Sequence, residues 1–476
     1  MNRESQLVKN TGILALGKIC TQFVSFFLLP LYTSYLSTKE YGTVDLLNNY
    51  ISLLIPIFFF QMEQALFRFL IDVRKDEKKK SEIISTSIIT VTLQIFVLII
   101  FYMIFSIFFY SEYKYFMLFN VIFTMYSSLL LQMCRGLGDN VTYSLGSLIS
   151  GISTIILNVF FITILKMGAY GMLTATLISN ILCILFVFFK QKLFKIIKLR
   201  NYNNDLRKAL WKYSIPLIPN QLSWWIVNVS DRTLITYFID IGANGIYSAA
   251  NKFSTICITF FNFFNMTWSE SASMHIKDGD SDEFFSKILN ISLNVFSGVC
   301  FVIIAIMPFV FKYLITGDGY AEAYYQIPIL MLATIFNIMV SLLGSIYVAL
   351  KKSNEIAKTS VFAAIINIMI NIILIKQIGL YAASVSTLVA YFAMAVYRYF
   401  DVQKYVKIKI KKSSIMYVII LTVCTIIAYY LRNNIICLIS LIFVIILSII
   451  LNKEIIKSLL RMFIIKANDI KIKKVL

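Results

Sequence analysis

The chain is a succession of long apolar runs separated by short polar stretches. Runs long enough to cross roughly 30 Å of hydrocarbon fall near 11–36, 42–70, 82–110, 114–134, 141–165, 170–190, 213–238, 244–274, 284–315, 321–350, 357–375, 380–403, 413–431 and 434–452. Lipid forces each span to satisfy its own backbone hydrogen bonds, so these runs predict helices. A barrel would need alternating segments of about ten residues, and these runs are continuous. The expected fold is therefore an all-α polytopic membrane protein with about fourteen transmembrane helices. The run at 11–36 is too long for the apolar region of a signal peptide and is expected to be the first span.

Composition agrees. Of 476 residues, 59% are hydrophobic and 14% charged, with mean hydropathy +0.80, against about 25% charged in a soluble domain. The net charge of +20 does not point to nucleic acid, because the Lys and Arg sit in short tracts between apolar runs. With a cytoplasmic N-terminus, the loops on that side hold 33 of the 44 basic residues. The positive-inside rule thus predicts both termini in the cytoplasm. The longest connection, about 194–212, leaves no room for a folded extramembrane domain. That weighs against a membrane enzyme with a catalytic outer loop, and no Gly-rich phosphate loop of an ATPase is present. The seven cysteines show no metal-ligand spacing, so no metal, cofactor or catalytic residue is expected.

Two internal matches suggest a duplication. At a displacement of 203, Leu31, Thr33, Gly42 and Asn48 fall on Leu234, Thr236, Gly245 and Asn251. At 211, Gly168, Tyr170, Thr176 and Leu177 fall on Gly379, Tyr381, Thr387 and Leu388. Six helices is an even number, so the repeats would be parallel and related by an axis along the membrane normal. This predicts two pseudo-symmetric six-helix lobes, 1–192 and 213–403. A basic cytoplasmic linker, 193–212, joins them, and 404–476 adds helices 13 and 14 with a basic tail.

Charged groups inside spans mark candidate function, since one at mid-bilayer costs about 2.5–3.5 kcal/mol on the insertion scale. Arg68 and Arg398 lie near helix ends and are expected to snorkel. Lys18, Arg232 and Lys252 lie deeper. Lys18 shares a polar face with Gln22 and Ser25, and Lys252 with Ser248, Thr255, Thr259 and Asn262. The acids Asp45, Glu63, Asp231 and Glu270 fall on the same four helices. Either these groups pair to hold the lobes together, or they form a cationic cavity in which the acids tune the site or carry a coupling ion. Asp231 and Arg232 are adjacent and cannot face each other on a helix, so at least one needs a partner elsewhere.

Several segments resemble a known family: Leu7-Val-Lys-Asn-Thr, Phe27-Leu-Leu-Pro-Leu-Tyr-Thr-Ser-Tyr-Leu followed by Glu40-Tyr-Gly, Ser230-Asp-Arg-Thr-Leu-Ile, and Gly245-Ile-Tyr-Ser-Ala-Ala-Asn-Lys. They look like the polysaccharide-transport family, the O-antigen and capsule repeat-unit flippases of the multidrug/oligosaccharidyl-lipid/polysaccharide exporter (MOP) superfamily. The resemblance implies two six-helix lobes around a cavity in a bacterial inner membrane. It also implies an undecaprenyl-diphosphate-linked oligosaccharide as substrate, and polymerase or export machinery as further partners. On this view Lys18, Arg232 and Lys252 contact the diphosphate, with Arg68 at the cytoplasmic entrance. The alternatives are an ion-coupled small-molecule or multidrug exporter, in which the acids matter most, and a lipid II flippase.

Overall fold

The computed structural model describes residues 24, 26–107, 112–276, 278–350 and 352–453. Every regular element among them is helical, as a chain immersed in lipid requires. Ten of these helices are long and apolar enough to cross a membrane, and the protein is a multi-pass membrane protein. Most of the expected first span lies outside the described residues. Three further expected spans are long helices outside these ten: α10 (Ile218–Phe238), α11 (Ile241–His275) and α15 (Tyr381–Val402). These three helices bear Asp231, Arg232, Lys252, Glu270 and Arg398.

The chain forms two compact units, one of residues up to Ala249 with Gly317–Tyr320, the other of the remainder. Their boundary falls inside α11.

In the first unit, α1 (Leu29–Tyr35) leads into α2 (Thr38–Phe59). Ser37 and Glu40 close a reciprocal capping box at the start of α2, which satisfies two otherwise orphaned N–H groups. The expected continuous span 42–70 is broken. Phe60 and Gln61 both adopt left-handed backbone, φ 51° and 53°, and α3 (Met62–Asp72) starts afresh. Neither left-handed residue is proline or glycine, although Pro56 lies one turn earlier. Non-glycine residues in that conformation store strain that surrounding packing must hold. Here Phe59, Met62, Leu66 and Leu70 are fully buried in a core with Val91, Met125 and Leu129.

The unit continues through α4 (Glu77–Phe105), α5 (Lys114–Leu137), α6 (Asn140–Val159) and α7 (Gly168–Lys190). The 193–212 segment is folded. It comprises α8 (Leu193–Ile196), a 3-10 turn at Leu199–Asn201, and the amphipathic α9 (Asn204–Ser214), with Leu193 and Leu210 fully buried. Side chains of α4 stitch the segment down. Ser81 Oγ donates to Ile196 O at 2.6 Å, Lys198 N donates to Ser85 Oγ at 3.1 Å, and Asn203 N donates to Thr86 Oγ1 at 3.1 Å. Pro216 and Pro219 lie at the 3-10 entry and first turn of α10, where a missing N–H costs little.

In the second unit, α12 (Ser281–Leu314), α13 (Ala323–Ala349), α14 (Ser353–Ile378) and α15 precede α16 (Lys412–Leu431) and α17 (Asn434–Leu451). The last two, unmatched by the repeat, are locked on. Tyr324 Oη donates to Tyr429 O at 3.2 Å while Tyr429 Oη donates to Tyr324 O at 2.7 Å, with their rings stacked at 4.2 Å. A basic segment runs along the start of α12 much as the earlier one runs along α4. Lys407 N, Lys409 N and Lys411 N donate to Asp282, Ser286 and Asn290.

Arg398 does not snorkel. It is 3% exposed and turns inward, donating to Val340 O at 2.8 Å and to Thr359 Oγ1 at 2.7 Å. A Cβ on Gly344 would stand 2.8 Å from its Nη1. The guanidinium therefore serves to tie α13, α14 and α15 together.

Candidate functional site

The first turns of α2 and α11 meet in the first unit, and they meet at repeat-equivalent residues. A Cβ on Gly42 would lie 2.8 Å from Gly245 N, and one on Gly245 would lie 3.0 Å from Gly42 N. Each would also collide with a carbonyl of the opposite helix, Ile241 O for Gly42 and Thr38 O for Gly245. Positions 38 and 241 differ by 203, as do 42 and 245. The contact is thus a local pseudo-two-fold, in which the same surface of each repeat faces the other. Only glycine permits so close an approach of two backbones. The helix starts match as well: Ser37 Oγ accepts from Glu40 N at 3.2 Å, and 203 residues on Asp240 Oδ1 accepts from Ala243 N at 2.8 Å. Asn244 Nδ2 adds a bond to Gly42 O at 2.9 Å.

One turn further along, the same symmetry produces a charged cluster. Asp45 and Ser248 are equivalent, and Ser248 Oγ donates to Asp45 Oδ2 at 2.5 Å. Asn49 Nδ2 donates to the same oxygen at 3.0 Å. Arg232 Nε stands 2.9 Å from it as an ion pair, the two side chains 11% and 14% exposed. Trp225 Nε1 donates to Asn49 O at 2.9 Å, which ties α10 to α2. Asp231 is 2% exposed and accepts from Tyr247 Oη at 3.1 Å. The adjacent acid and base thus face different partners, as the helix geometry demands. A largely buried ion pair holds its charges away from water, and removing one partner strands the other.

Lys18 lies outside the described residues. Arg68 is well exposed and pairs with Asp72 on its own helix at 2.7 Å. Glu63 is 7% exposed, in the first turn of α3 just past the helix break, and among the described residues its Oε2 has no hydrogen-bond partner. Lys252 and Glu270 belong to the second unit, Lys252 half-buried and Glu270 exposed. Sequence patterning had put Ser248 on the polar face of α11 without its acid partner. The contributions of Trp225, Asn49 and Tyr247 left no signal, because each is an ordinary residue for a membrane helix.

Residues 7–269 of the sequence, more than half of it, match the family described as "Polysaccharide biosynthesis protein". No curated protein matches significantly. Among solved structures, the fold is similar to the lipid II flippase MurJ in an inward closed conformation. The TM-score is 0.68 at 17% identity, over 93% of this chain and 99% of that one. It is also similar to an inward-facing multidrug resistance MATE family transporter of the MOP superfamily, with TM-score 0.68 at 12% identity over 84% and 95%. A MOP superfamily transporter from Pyrococcus furiosus, described as having a binding pocket of reverse polarity, matches with TM-score 0.56 at 13% identity over 84% and 95%.

Proposed function

Because the chain belongs to the polysaccharide biosynthesis protein family and shares the fold of MOP-superfamily transporters, we propose that it flips lipid-linked oligosaccharide repeat units across a bacterial inner membrane. The unit, carried on undecaprenyl diphosphate, moves from the cytoplasmic to the outer leaflet for surface-polysaccharide assembly. Both termini lie in the cytoplasm, as the Lys and Arg distribution favours. Two six-helix lobes alternate in access around a cavity. It is a carrier without a catalytic step, and its further partners are the polymerase and export machinery that take up the flipped unit.

The observation that carries this reading is Arg232, a largely buried cation held beside Asp45 where two repeat-related helices meet. A diphosphate crossing the bilayer needs cations that can exchange an internal carboxylate for a phosphate oxygen, and the Arg fork suits phosphate. Lys18, Lys252 and Arg68 complete the phosphate route, with Asp45, Asp231 and Glu270 balancing charge along it. The apolar lipid tail stays in the bilayer.

A second reading, an ion-coupled exporter of small molecules, draws support from Glu63. A buried carboxylate with a free oxygen beside a helix break suits a coupling ion, and the flippase can use the same device. Deleting the gene and measuring lipid-linked oligosaccharides by mass spectrometry separates the two. Accumulation of a complete lipid-linked unit with loss of surface polymer is expected. Normal polymer without any accumulated intermediate transfers the assignment to the exporter.

A further inference from the structure

The folded segment after α7 creates a feature that the transport reading does not use. Between residues 191–204 and the first turns of α4 lie two recesses of about 680 and 470 Å³, with Lys78 and Asn201 in the walls of both. Cations dominate the walls: Lys78 and Lys80 from α4, and Lys195, Lys198 and Arg200 from the segment.

The three acids there are already engaged. Glu77 pairs with Lys80, Glu82 accepts from Asn203 Nδ2 at 2.7 Å, and Asp139 accepts from Gln191 Nε2 at 2.7 Å and from Thr142 Oγ1 at 2.6 Å. Among the described residues, Lys78, Lys195, Lys198 and Arg200 are in no ion pair, and all four are exposed. The bonds from Ser81, Ser85 and Thr86 hold down the backbone that carries Lys195, Lys198 and Arg200.

The surroundings identify the anion's source. The groove lies just beyond the last turn of α7, where a membrane helix leaves the hydrocarbon. Phe194 is 58% exposed and Phe189 65%, and Lys195 Nζ lies 5.8 Å from the Phe194 ring. Aromatic side chains beside a cationic groove match a phosphate that carries acyl chains. We infer that this groove binds the headgroup of an anionic phospholipid. The inference rests on the proposed orientation only for naming the cytoplasmic leaflet.

The test is native mass spectrometry of the full-length protein in detergent, titrated with phosphatidylglycerol or with phosphatidylcholine of the same acyl chains. Wild type is expected to retain the anionic lipid preferentially. Lys195→Gln/Lys198→Gln/Arg200→Gln is expected to weaken that retention by on the order of tenfold or more. Lys78→Gln, on the opposite wall, gives a partial loss and covers the case in which the triple variant misfolds. The control Lys407→Gln/Lys409→Gln/Lys411→Gln keeps the preference. Absence of a preference in wild type, or unchanged retention in both groove variants, overturns the inference. Binding of millimolar inorganic phosphate that displaces the lipid overturns the lipid assignment in favour of a soluble anion. The readout is binding, so it is independent of whether the protein flips an oligosaccharide.

Discussion

Ser248 donates its hydroxyl to Asp45 Oδ2 at 2.5 Å, and the two residues stand 203 positions apart, at the displacement that superposes one repeat on the other. The two helices therefore touch at positions separated by that one displacement: one supplies a carboxylate, the other a hydroxyl that binds it. One turn earlier the equivalent residues are both glycine, and the backbones come together.

The glycine contact is the easiest part to disturb. Gly42→Ala and Gly245→Ala each place a methyl against the opposite backbone and are expected to cost on the order of 1–3 kcal/mol. Both act on a single contact, so the double variant should be clearly less destabilised than the sum of the two. Thermal unfolding of the purified protein in one detergent checks this. Full additivity would show that the two glycines do not share a contact.

Asp45 and Arg232 can be separated into structural and transport roles. Asp45→Asn strands the guanidinium and Arg232→Gln strands the carboxylate, and each is expected to cost about 3–5 kcal/mol. The double variant Asp45→Asn/Arg232→Gln should recover most of that stability and still fail in transport, because the phosphate contact is gone. Melting temperature and surface polymer, measured side by side, read the two effects. Recovery of both would reduce Arg232 to a structural partner.

Arg398 should behave in the opposite way. Lys cannot reproduce the simultaneous contacts to Val340 O and Thr359 Oγ1, since it lacks the planar fork. Arg398→Lys is expected to lower stability by roughly 1–3 kcal/mol and to leave transport per folded molecule unchanged. Quantifying folded protein by fluorescence size-exclusion before assaying transport makes that distinction.

Asp139 offers a pH handle outside the membrane spans. Burial alone would raise its carboxyl pKa. The Thr142 hydroxyl and N–H, with the Gln191 amide, outweigh burial and hold it below the ordinary value. A group lowered on folding stabilises the protein above its unfolded pKa and loses that contribution as pH falls through the folded pKa. Asp139→Ala, which also removes the cap of α6, is expected to cost about 1 kcal/mol at neutral pH. The difference from wild type should shrink below roughly pH 4. Unfolding measured across that range would contradict the account if the gap were constant.

Much of this architecture is legible in the amino-acid order, because lipid imposes one rule on every span. The helical runs and the Gly42/Gly245 correspondence follow from hydropathy and self-comparison. Contact between the two glycines is not legible, since the repeat predicts equivalence and says nothing of adjacency. The break at Phe60–Gln61 is invisible for a different reason: neither residue type signals a left-handed backbone, and tertiary packing imposes it. Arg398 misleads because depth along a helix does not reveal which way a side chain turns. The packing of the 193–212 segment is not legible in its basic composition, because its serine and threonine anchors sit on α4 more than a hundred residues away.

The most direct test of the central claim is reconstitution into proteoliposomes with a lipid-linked oligosaccharide. Protection of its glycan from an added glycosidase is then followed for wild type and for Arg232→Gln. The account predicts that wild type moves the glycan across the bilayer and that Arg232→Gln, folded and inserted equally, moves it at least about tenfold more slowly. No movement by wild type, or equal movement by the variant, would contradict a flippase that carries its substrate's phosphates past Arg232.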